Sequence, residues 1–439
     1  MDKIIIYNTI PAIELIGKDI MQSFESSKNV AWREVSLNKL SGDKQGSTCV
    51  CFEVKDGEYR GRILKIFHPQ DEDFLGYLKR QIFNNEFIGD LSFTGKSVVN
   101  KEKFNQYYYR FVNQINSMAE VQKVYGDRCL HDALELQVAN TSAGLCFLCK
   151  KLKDLSDIHV NSINKSEKEN ILYDVIVKAF RQIQEIERIH NADYACLDVK
   201  PSNFCNIEVE KGELAGIRLV DYGSALNKES FYKYSNTSYN IFTSNQFYYL
   251  KGDLNNIVKK AKENDFDFSI VKSLDLKAVG IYLLSELNKY FVPKSMYDSE
   301  QLCANPSNLI KGVIASLSGV MQNYDLLELY FYLAECVEYL LSYENKPTCV
   351  EALRKLTKLF IKMRIKPDFI VGELDEIYNK EKQLSEAVKH SIQQFNHQSL
   401  LNLYKYSSSE VVLKLVDICI QEKINDMWAY LDNISKAIY

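Results

Sequence analysis

Two short segments near the middle of the chain carry four chemically active side chains within about two dozen positions. The first reads C-L-D-V-K-P-S-N from Cys196 to Asn203, and the second reads L-V-D-Y-G from Leu219 to Gly223. Together they supply two carboxylates, one ammonium group and one amide, which belong to Asp198, Asp221, Lys200 and Asn203. Such groups act on one molecule only if the chain between them folds back, so the pattern constrains the fold as well as the chemistry.

The residues around this pattern predict how the chain folds back. Upstream, apolar residues recur at helical spacing as far as His190, and they are Phe180, Ile183, Ile186 and Ile189. Between the two segments, residues 206–210 and 217–220 resemble two strands joined by a turn at Lys211-Gly212. The predicted order is therefore a helix, a loop with the first carboxylate, a hairpin, and the second carboxylate.

The four side chains match what phosphoryl transfer from metal-bound ATP to a hydroxyl group requires. The transition state of that reaction is loose, so the protein has to supply positioned charge and little covalent chemistry. Asp198 would orient the attacking hydroxyl group and accept its proton, and Lys200 would lie against the γ-phosphate. Asn203 and Asp221 would bind Mg²⁺ through oxygen atoms, the ligand type that this ion prefers.

In order and spacing these motifs resemble the catalytic and metal-binding loops of the eukaryotic-like protein kinase family. The lysine two positions after Asp198 resembles the serine/threonine pattern of that family. The resemblance implies an α+β, two-lobed fold with a small antiparallel β-sheet lobe over a mainly α-helical large lobe. It also implies that ATP and Mg²⁺ are used to phosphorylate serine or threonine in a protein substrate.

The resemblance extends upstream to the residues that would hold the nucleotide. Lys65, in the apolar strand from Arg62 to Phe67, resembles the lysine that contacts the α- and β-phosphates. A loop before that strand would cover the phosphates with Gly42, Gly46 and Ser47, whose small side chains let the backbone approach closely. The segment containing Cys149 and Lys151 would form the hinge that binds adenine.

The glutamate that would pair with Lys65 has two candidates. Glu120 lies in a stretch with helical apolar spacing and is the expected partner. That assignment requires an insertion at about residues 70–105, because the family has fewer residues between its lysine and its glutamate. The alternative is Glu86, in which case the later helix would be additional.

The rest of the chain matches the kinase family at some positions and departs from it at others. Asp275 lies in a segment that resembles the buried central helix of the family, and Thr348 with Glu351 resembles a capped terminal helix. Leu197 stands where the family has the arginine that reads a phosphorylated activation loop, so we expect activity without loop phosphorylation. A pseudokinase scaffold, or an enzyme of the same fold that transfers AMP or another group, remains an alternative.

The resemblance and the helical spacing predict four segments. Residues 1–33 would form an N-terminal extension, and residues 34–152 the small lobe. The large lobe would occupy residues 153–362, and residues 363–439 would form a helical C-terminal extension that packs on it or binds a partner protein.

Composition limits the partners and the compartment. The 439 residues carry a formal net charge of -4, which argues against nucleic acid or an anionic membrane as a bulk electrostatic partner. We also see no apolar run long enough to span a bilayer, and no secretory signal. The 11 cysteines are scattered along the chain and several lie in predicted strands, so a cytoplasmic, reducing location is expected.

Overall fold

The structure is a computed structural model, and the chain divides into two units. The sheet unit comprises residues 1–158 and 188–272, and the helical unit comprises residues 159–187 and 273–439. The described residues are 2–25, 33–40, 49–67, 101–125, 130–141, 144–153, 155, 165–207, 216–235, 251–261, 266–292, 303–321 and 323–393. The predicted insertion from about residue 70 lies outside them except for its last residues, from Lys101, which are helical.

The strands of the sheet unit are short, and most contain β-branched or aromatic residues, which favour extended backbone. They are β1 (Asp2–Pro11), β2 (Arg33–Lys39), β3 (Cys49–Val54), β4 (Ile63–Phe67), β5 (Gln137–Thr141), β6 (Gly144–Cys149), β7 (Tyr194–Ala195), β8 (Phe204–Ile207), β9 (Gly216–Leu219) and β10 (Leu226–Asn227). The helices are α1 (Ile20–Glu25), α2 (Lys101–Tyr125), α3 (Leu130–Ala133), α4 (Glu167–Asn191), α5 (Lys228–Ser235), α6 (Lys251–Ala261), α7 (Ser269–Phe291), α8 (Pro306–Leu317), α9 (Asn323–Leu341), α10 (Cys349–Lys362) and α11 (Glu373–Gln393).

The main sheet is antiparallel throughout and closes on itself in the order β1-β2-β3-β4-β6-β5. The predicted antiparallel sheet is present, and its described strands form a closed sheet. Closure results from β1, which pairs with β2 along one edge and with β5 along the other. Residues 2–11 therefore belong to the sheet and do not form a separate extension.

Alternation along the strands gives the closed sheet an apolar interior and a separate outer face. In β4 the side chains of Leu64 and Ile66 are fully buried in the interior, and Lys65 between them projects from the opposite face, as the two-residue period of a strand requires. The interior cluster comprises Ile4, Ile6, Val35, Leu37, Val50, Phe52, Val54, Leu64, Ile66, Ala139, Cys146 and Leu148.

Helix α2 packs on the outer face of the sheet. Phe147 of β6 is opposite Lys65 in the strand register, so its ring projects from the outer face. The ring of Phe111 stacks on it with a centroid separation of 4.1 Å and an interplanar angle of 6°. Full burial of an aromatic ring of this size contributes about 2 to 3 kcal/mol, so this contact holds α2 beside the strand that carries Lys65.

The helical unit is built around long apolar helices, of which α7 and α9 are buried along most of their length. Asp275 is fully buried within α7. Thr348 caps α10, because its side-chain oxygen accepts a hydrogen bond from the Glu351 backbone nitrogen, as the capping pattern predicts. Among the described helices, none is both long enough and apolar enough to cross a bilayer.

The described part of the predicted C-terminal extension packs within the helical unit. Lys362 of α10 and Glu328 of α9 form a buried ion pair at 2.7 Å, and the Ser385 hydroxyl of α11 donates to the same carboxylate at 2.9 Å. The Tyr332 hydroxyl also donates to Glu381 of α11 at 3.3 Å. Breaking a buried ion pair is strongly destabilising, so these contacts hold α11 against α9 and α10. Residues 394–439 lie outside the described part of the chain.

Candidate active site

The first motif forms a loop between β7 and a short 3₁₀-helix, Pro201–Asn203. Leu197 in this loop is buried and has a φ of 56°, a left-handed conformation that L-residues with large side chains rarely adopt. Such a conformation costs about 1 to 2 kcal/mol and persists only where surrounding contacts impose it. The strained residue immediately precedes Asp198, the predicted catalytic carboxylate.

Asp198 is buried and is held by both of the other predicted catalytic residues. The Lys200 ammonium donates to its two carboxylate oxygens at 3.3 and 3.1 Å. The Asn203 Nδ2 donates to the Asp198 backbone oxygen at 2.8 Å and to Oδ2 at 3.0 Å. The structure therefore brings Asp198, Lys200 and Asn203 together, with the carboxylate fixed by two donors.

A hairpin brings the second motif beside the first, as the sequence predicts. Strands β8 and β9 pair antiparallel, with Phe204 opposite Leu219. Just beyond that pair, the Val220 backbone nitrogen donates to the Asn203 backbone oxygen at 2.8 Å. Asp221 follows Val220 directly, so this cross-strand hydrogen bond brings the two predicted metal ligands, Asn203 and Asp221, near each other.

Lys65 and Asp221 form an ion pair, which joins the closed sheet to the second motif. The Lys65 Nζ donates to Asp221 Oδ2 at 2.5 Å. Burial alone would raise the pKa of this carboxyl group, but the charge and hydrogen bond of Lys65, the charge of Lys200 and the Gly223 backbone N–H outweigh it and lower the pKa to about 2. Asp221 is therefore ionised at neutral pH and can serve as an anionic metal ligand.

Glu120 does not make the ion pair that the sequence analysis assigned to it. Its carboxylate is about half exposed and pairs with Lys123 at 2.5 Å, one turn along the same helix. The physical reason is its position along α2: it lies seven residues, or about 10 Å, beyond Asn113, which contacts the second motif. The alternative candidate, Glu86, lies outside the described residues.

The two predicted hinge residues lie in different surroundings. Cys149 is the last residue of β6 and is opposite Ile63 in β4. Burial raises the pKa of its thiol to about 11, although the charges of Lys65 and Arg62 act against this, so the thiol is neutral and lies within the field of Lys65. The Lys151 side chain is exposed and pairs with Glu53 at 3.1 Å, on the outer face of β3. Adenine binding by their backbone groups stays a prediction.

The three residues predicted to cover the phosphates, Gly42, Gly46 and Ser47, lie outside the described residues. The strands that they connect are described, and Cys51 of β3 is opposite Lys65 in the register. The segment from 41 to 48 thus joins two strands of the sheet that carries Lys65.

Two amides of α2 that the sequence analysis missed contact the second motif. Gln114 Nε2 donates to the Val220 backbone oxygen at 2.9 Å, and Gln114 Oε1 accepts from the Tyr222 backbone nitrogen at 2.6 Å. Asn113 Nδ2 donates to the Ala225 backbone oxygen at 2.6 Å and lies within 3.3 Å of two earlier carbonyl oxygens. The available signal was two adjacent amides on a helix whose neighbouring residues are apolar, and this pattern is too common to select on its own.

The donor set fits Mg²⁺. Because Asn203 Nδ2 donates to the backbone oxygen and to Oδ2 of Asp198, the hydrogen bonds assign the amide so that Asn203 Oδ1 faces away from that carboxylate. Asp221 supplies an ionised carboxylate, whose Oδ1 accepts a 3.2 Å hydrogen bond from the Gly223 backbone nitrogen. An amide oxygen and a carboxylate are hard ligands of the kind that Mg²⁺ uses together with phosphate oxygens.

No protein-family model matches the chain, and no curated protein matches its sequence. Among solved structures, the chain is similar to the structure titled "ROP18 kinase domain in complex with AMP-PNP and sucrose". The sequence identity is 13%, the match covers 82% of this chain and 84% of that chain, and the TM-score is 0.38. Similarity at this level says nothing about function.

Proposed function

We propose that the protein transfers the γ-phosphoryl group of ATP to serine or threonine hydroxyl groups of a protein substrate. One observation carries this proposal. Inside the sheet unit, Lys65 bonds to Asp221, and Asn203 and Lys200 bond to Asp198. The backbone bond from Val220, the residue before Asp221, to Asn203 links the two groups. The set contains the two cations, two carboxylates and one amide that phosphoryl transfer needs.

The reaction follows from the positions of these groups. The substrate hydroxyl oxygen attacks the γ-phosphorus, its proton passes to the Asp198 carboxylate, and the bond from the γ-phosphorus to the bridging oxygen breaks to release ADP. The Lys200 ammonium, bound to Asp198, would also neutralise charge on the transferred group. Lys65 exchanges part of its contact with Asp221 for the α- and β-phosphates. When bound through Asn203 and Asp221, Mg²⁺ would supply neutralisation of phosphate charge.

The experiment that tests this function compares two labels. The full chain is incubated with Mg²⁺ and a generic protein substrate, in parallel with γ-labelled and α-labelled ATP. Only the γ-label is expected to reach the protein, and partial acid hydrolysis is expected to release it as phosphoserine or phosphothreonine. Transfer of the α-label would show nucleotidyl transfer, and the absence of both labels would favour a scaffold.

Nucleotide binding is expected to depend on the metal ion. Asp221 is the anionic member of the metal-ligand pair, so ATP with Mg²⁺ should raise the free energy of unfolding by about 2.7 kcal/mol at a ligand concentration of 100 times Kd. ATP with a chelator should raise it much less, and Asp221→Asn should abolish the difference. Thermal unfolding measures both. Equal stabilisation with and without Mg²⁺ would contradict the assigned ligands.

A further inference from the structure

Asp221 is bracketed on both sides by one side chain of helix α2. Gln114 donates to the carbonyl oxygen of Val220, the residue before Asp221, and accepts from the N–H of Tyr222, the residue after it. The glutamine is only 4% exposed. Both halves of its amide are therefore committed to the backbone that presents the carboxylate.

A neutral amide side chain can make this pair of bonds from one residue. A carboxylate accepts but does not donate, and an ammonium group donates but does not accept, whereas a glutamine carries one acceptor and two donors. The neighbouring Asn113 extends the contact by donating to the Ala225 backbone oxygen at 2.6 Å. The Ser117 hydroxyl donates to Asn113 Oδ1 at 2.8 Å and so fixes which way that amide faces.

We propose that Gln114, supported by Asn113, is a positioning residue that holds Asp221 in place through neutral amide bonds. This inference rests on the proposed function and deepens it, because it identifies what fixes the predicted metal ligand. It also explains why Glu120 can lie exposed on the same helix. Hydrogen bonds from α2 to the backbone on either side of Asp221 fix the carboxylate relative to the helix. The amide groups that make these bonds do not titrate near neutral pH.

The charged and titratable groups around this contact are few among the described residues. Asp221 itself pairs with Lys65 and lies in the field of Lys200. On the side of α3, His131 contacts the backbone of Ile115, next to Gln114, and burial lowers its pKa below the ordinary 6.5. His131 is therefore neutral from that pH upward.

The experiment replaces Gln114 with an isosteric group whose donor depends on pH. In Gln114→Glu, the ionised carboxylate accepts from Tyr222 but faces the Val220 oxygen without a hydrogen, whereas the protonated form restores both bonds. Burial raises the pKa of such a carboxyl group, so protonation is expected as the pH falls from about 8.5 to about 6. We expect kcat about 100-fold below wild type at the higher pH and within about 10-fold at the lower, after division by the wild-type value at each pH.

Three variants control this result. Gln114→Met keeps the length but removes both bonds, so its deficit should not change with pH. Gln122→Glu makes the same substitution two turns further along α2 and should match wild type at every pH. If Gln114→Glu does not fold, Ser117→Ala replaces it, since loss of the hydroxyl that orients Asn113 should lower kcat about threefold. The proposal would be overturned if the loss of kcat in Gln114→Glu were the same at both pH values, or no larger than the loss in Gln122→Glu. A Ser117→Ala enzyme with wild-type kcat would overturn it as well.

A second readout separates this proposal from the proposed function. The Mg²⁺-dependent part of the thermal stabilisation by ATP is measured for the same variants at both pH values. If wild type transfers no phosphate, the proposed function fails; a pH-dependent loss of this stabilisation in Gln114→Glu would still support positioning of Asp221. If wild type shows no Mg²⁺-dependent stabilisation, or if the variant keeps all of it at about pH 8.5, the positioning role is excluded.

Discussion

Replacing Asp198 with asparagine is expected to lower kcat about 1000-fold, with less than about a threefold change in the KM for ATP. Asparagine keeps the shape of the side chain and an oxygen that can accept from Asn203, so the loop should keep its conformation. It cannot accept the proton of the attacking hydroxyl group. Because the proposed role of Asp198 concerns the substrate hydroxyl and not the nucleotide, the loss should appear in turnover, measured as phosphate transferred per enzyme at saturating ATP.

A matched control for this change lies five residues upstream. The side chain of Asp193 is 89% exposed and pairs with Lys272 at 2.9 Å, so Asp193→Asn makes the same chemical change outside the site. Its kcat should stay within about twofold of wild type, because exposed ion pairs contribute little. Wild-type turnover in Asp198→Asn would show that another group accepts the proton and that the loop is wrongly assigned.

The parts of the site that the sequence predicted are those joined by short stretches of chain. Asp198, Lys200 and Asn203 lie within six positions, and the hairpin of β8 and β9 brings Asp221 back beside them. Local patterns suffice here, since a loop and a two-stranded hairpin are set by neighbouring residues. Lys65 was predicted only from the resemblance of its strand to that of the kinase family, and alternation along the strand accounts for its place on the outer face.

The parts that the sequence did not predict depend on contacts between distant segments. The helix that contains Glu120 was expected from its apolar spacing. Which of its residues lie beside the second motif is set by packing such as that of Phe111 on Phe147, and apolar spacing does not reveal that packing. The bonds from Asn113 and Gln114 end on backbone atoms, so no complementary residue type marks them in the sequence.

Closure of the sheet illustrates the same limit. The apolar residues of β1 predict a strand, with Ile4 and Ile6 on the interior face. Nothing in its own sequence states that it pairs with both β2 and β5, because strand partners are chosen by long-range packing. An N-terminal strand can therefore be predicted from its residues while its place in the sheet cannot.

Lys65→Met is expected to lower kcat/KM for ATP about 1000-fold, through both a higher KM and a lower kcat. Methionine keeps much of the length of lysine but removes the ammonium group that would contact the phosphates. The same change leaves Asp221 without the cation at 2.5 Å, so the predicted metal ligand loses the ion pair that lowers its pKa. Steady-state kinetics at varied ATP concentration, with Mg²⁺ in excess, separates the two contributions.

The loss of the Lys65–Asp221 pair should also be visible without nucleotide, and its pH dependence has a definite sign. The pKa of Asp221 is lowered from 3.8 to about 2 in the folded protein, so the pair stabilises the fold above pH 3.8 and this stabilisation is lost as the pH falls toward 2. Urea unfolding should therefore show wild type more stable than Lys65→Met by about 2 kcal/mol at pH 7, with a smaller difference near pH 3.

Lys123→Met, which breaks the exposed pair with Glu120, should change stability by less than about 0.5 kcal/mol and leave activity unchanged. A difference between wild type and Lys65→Met that is the same at both pH values would mean that the ion pair does not support Asp221.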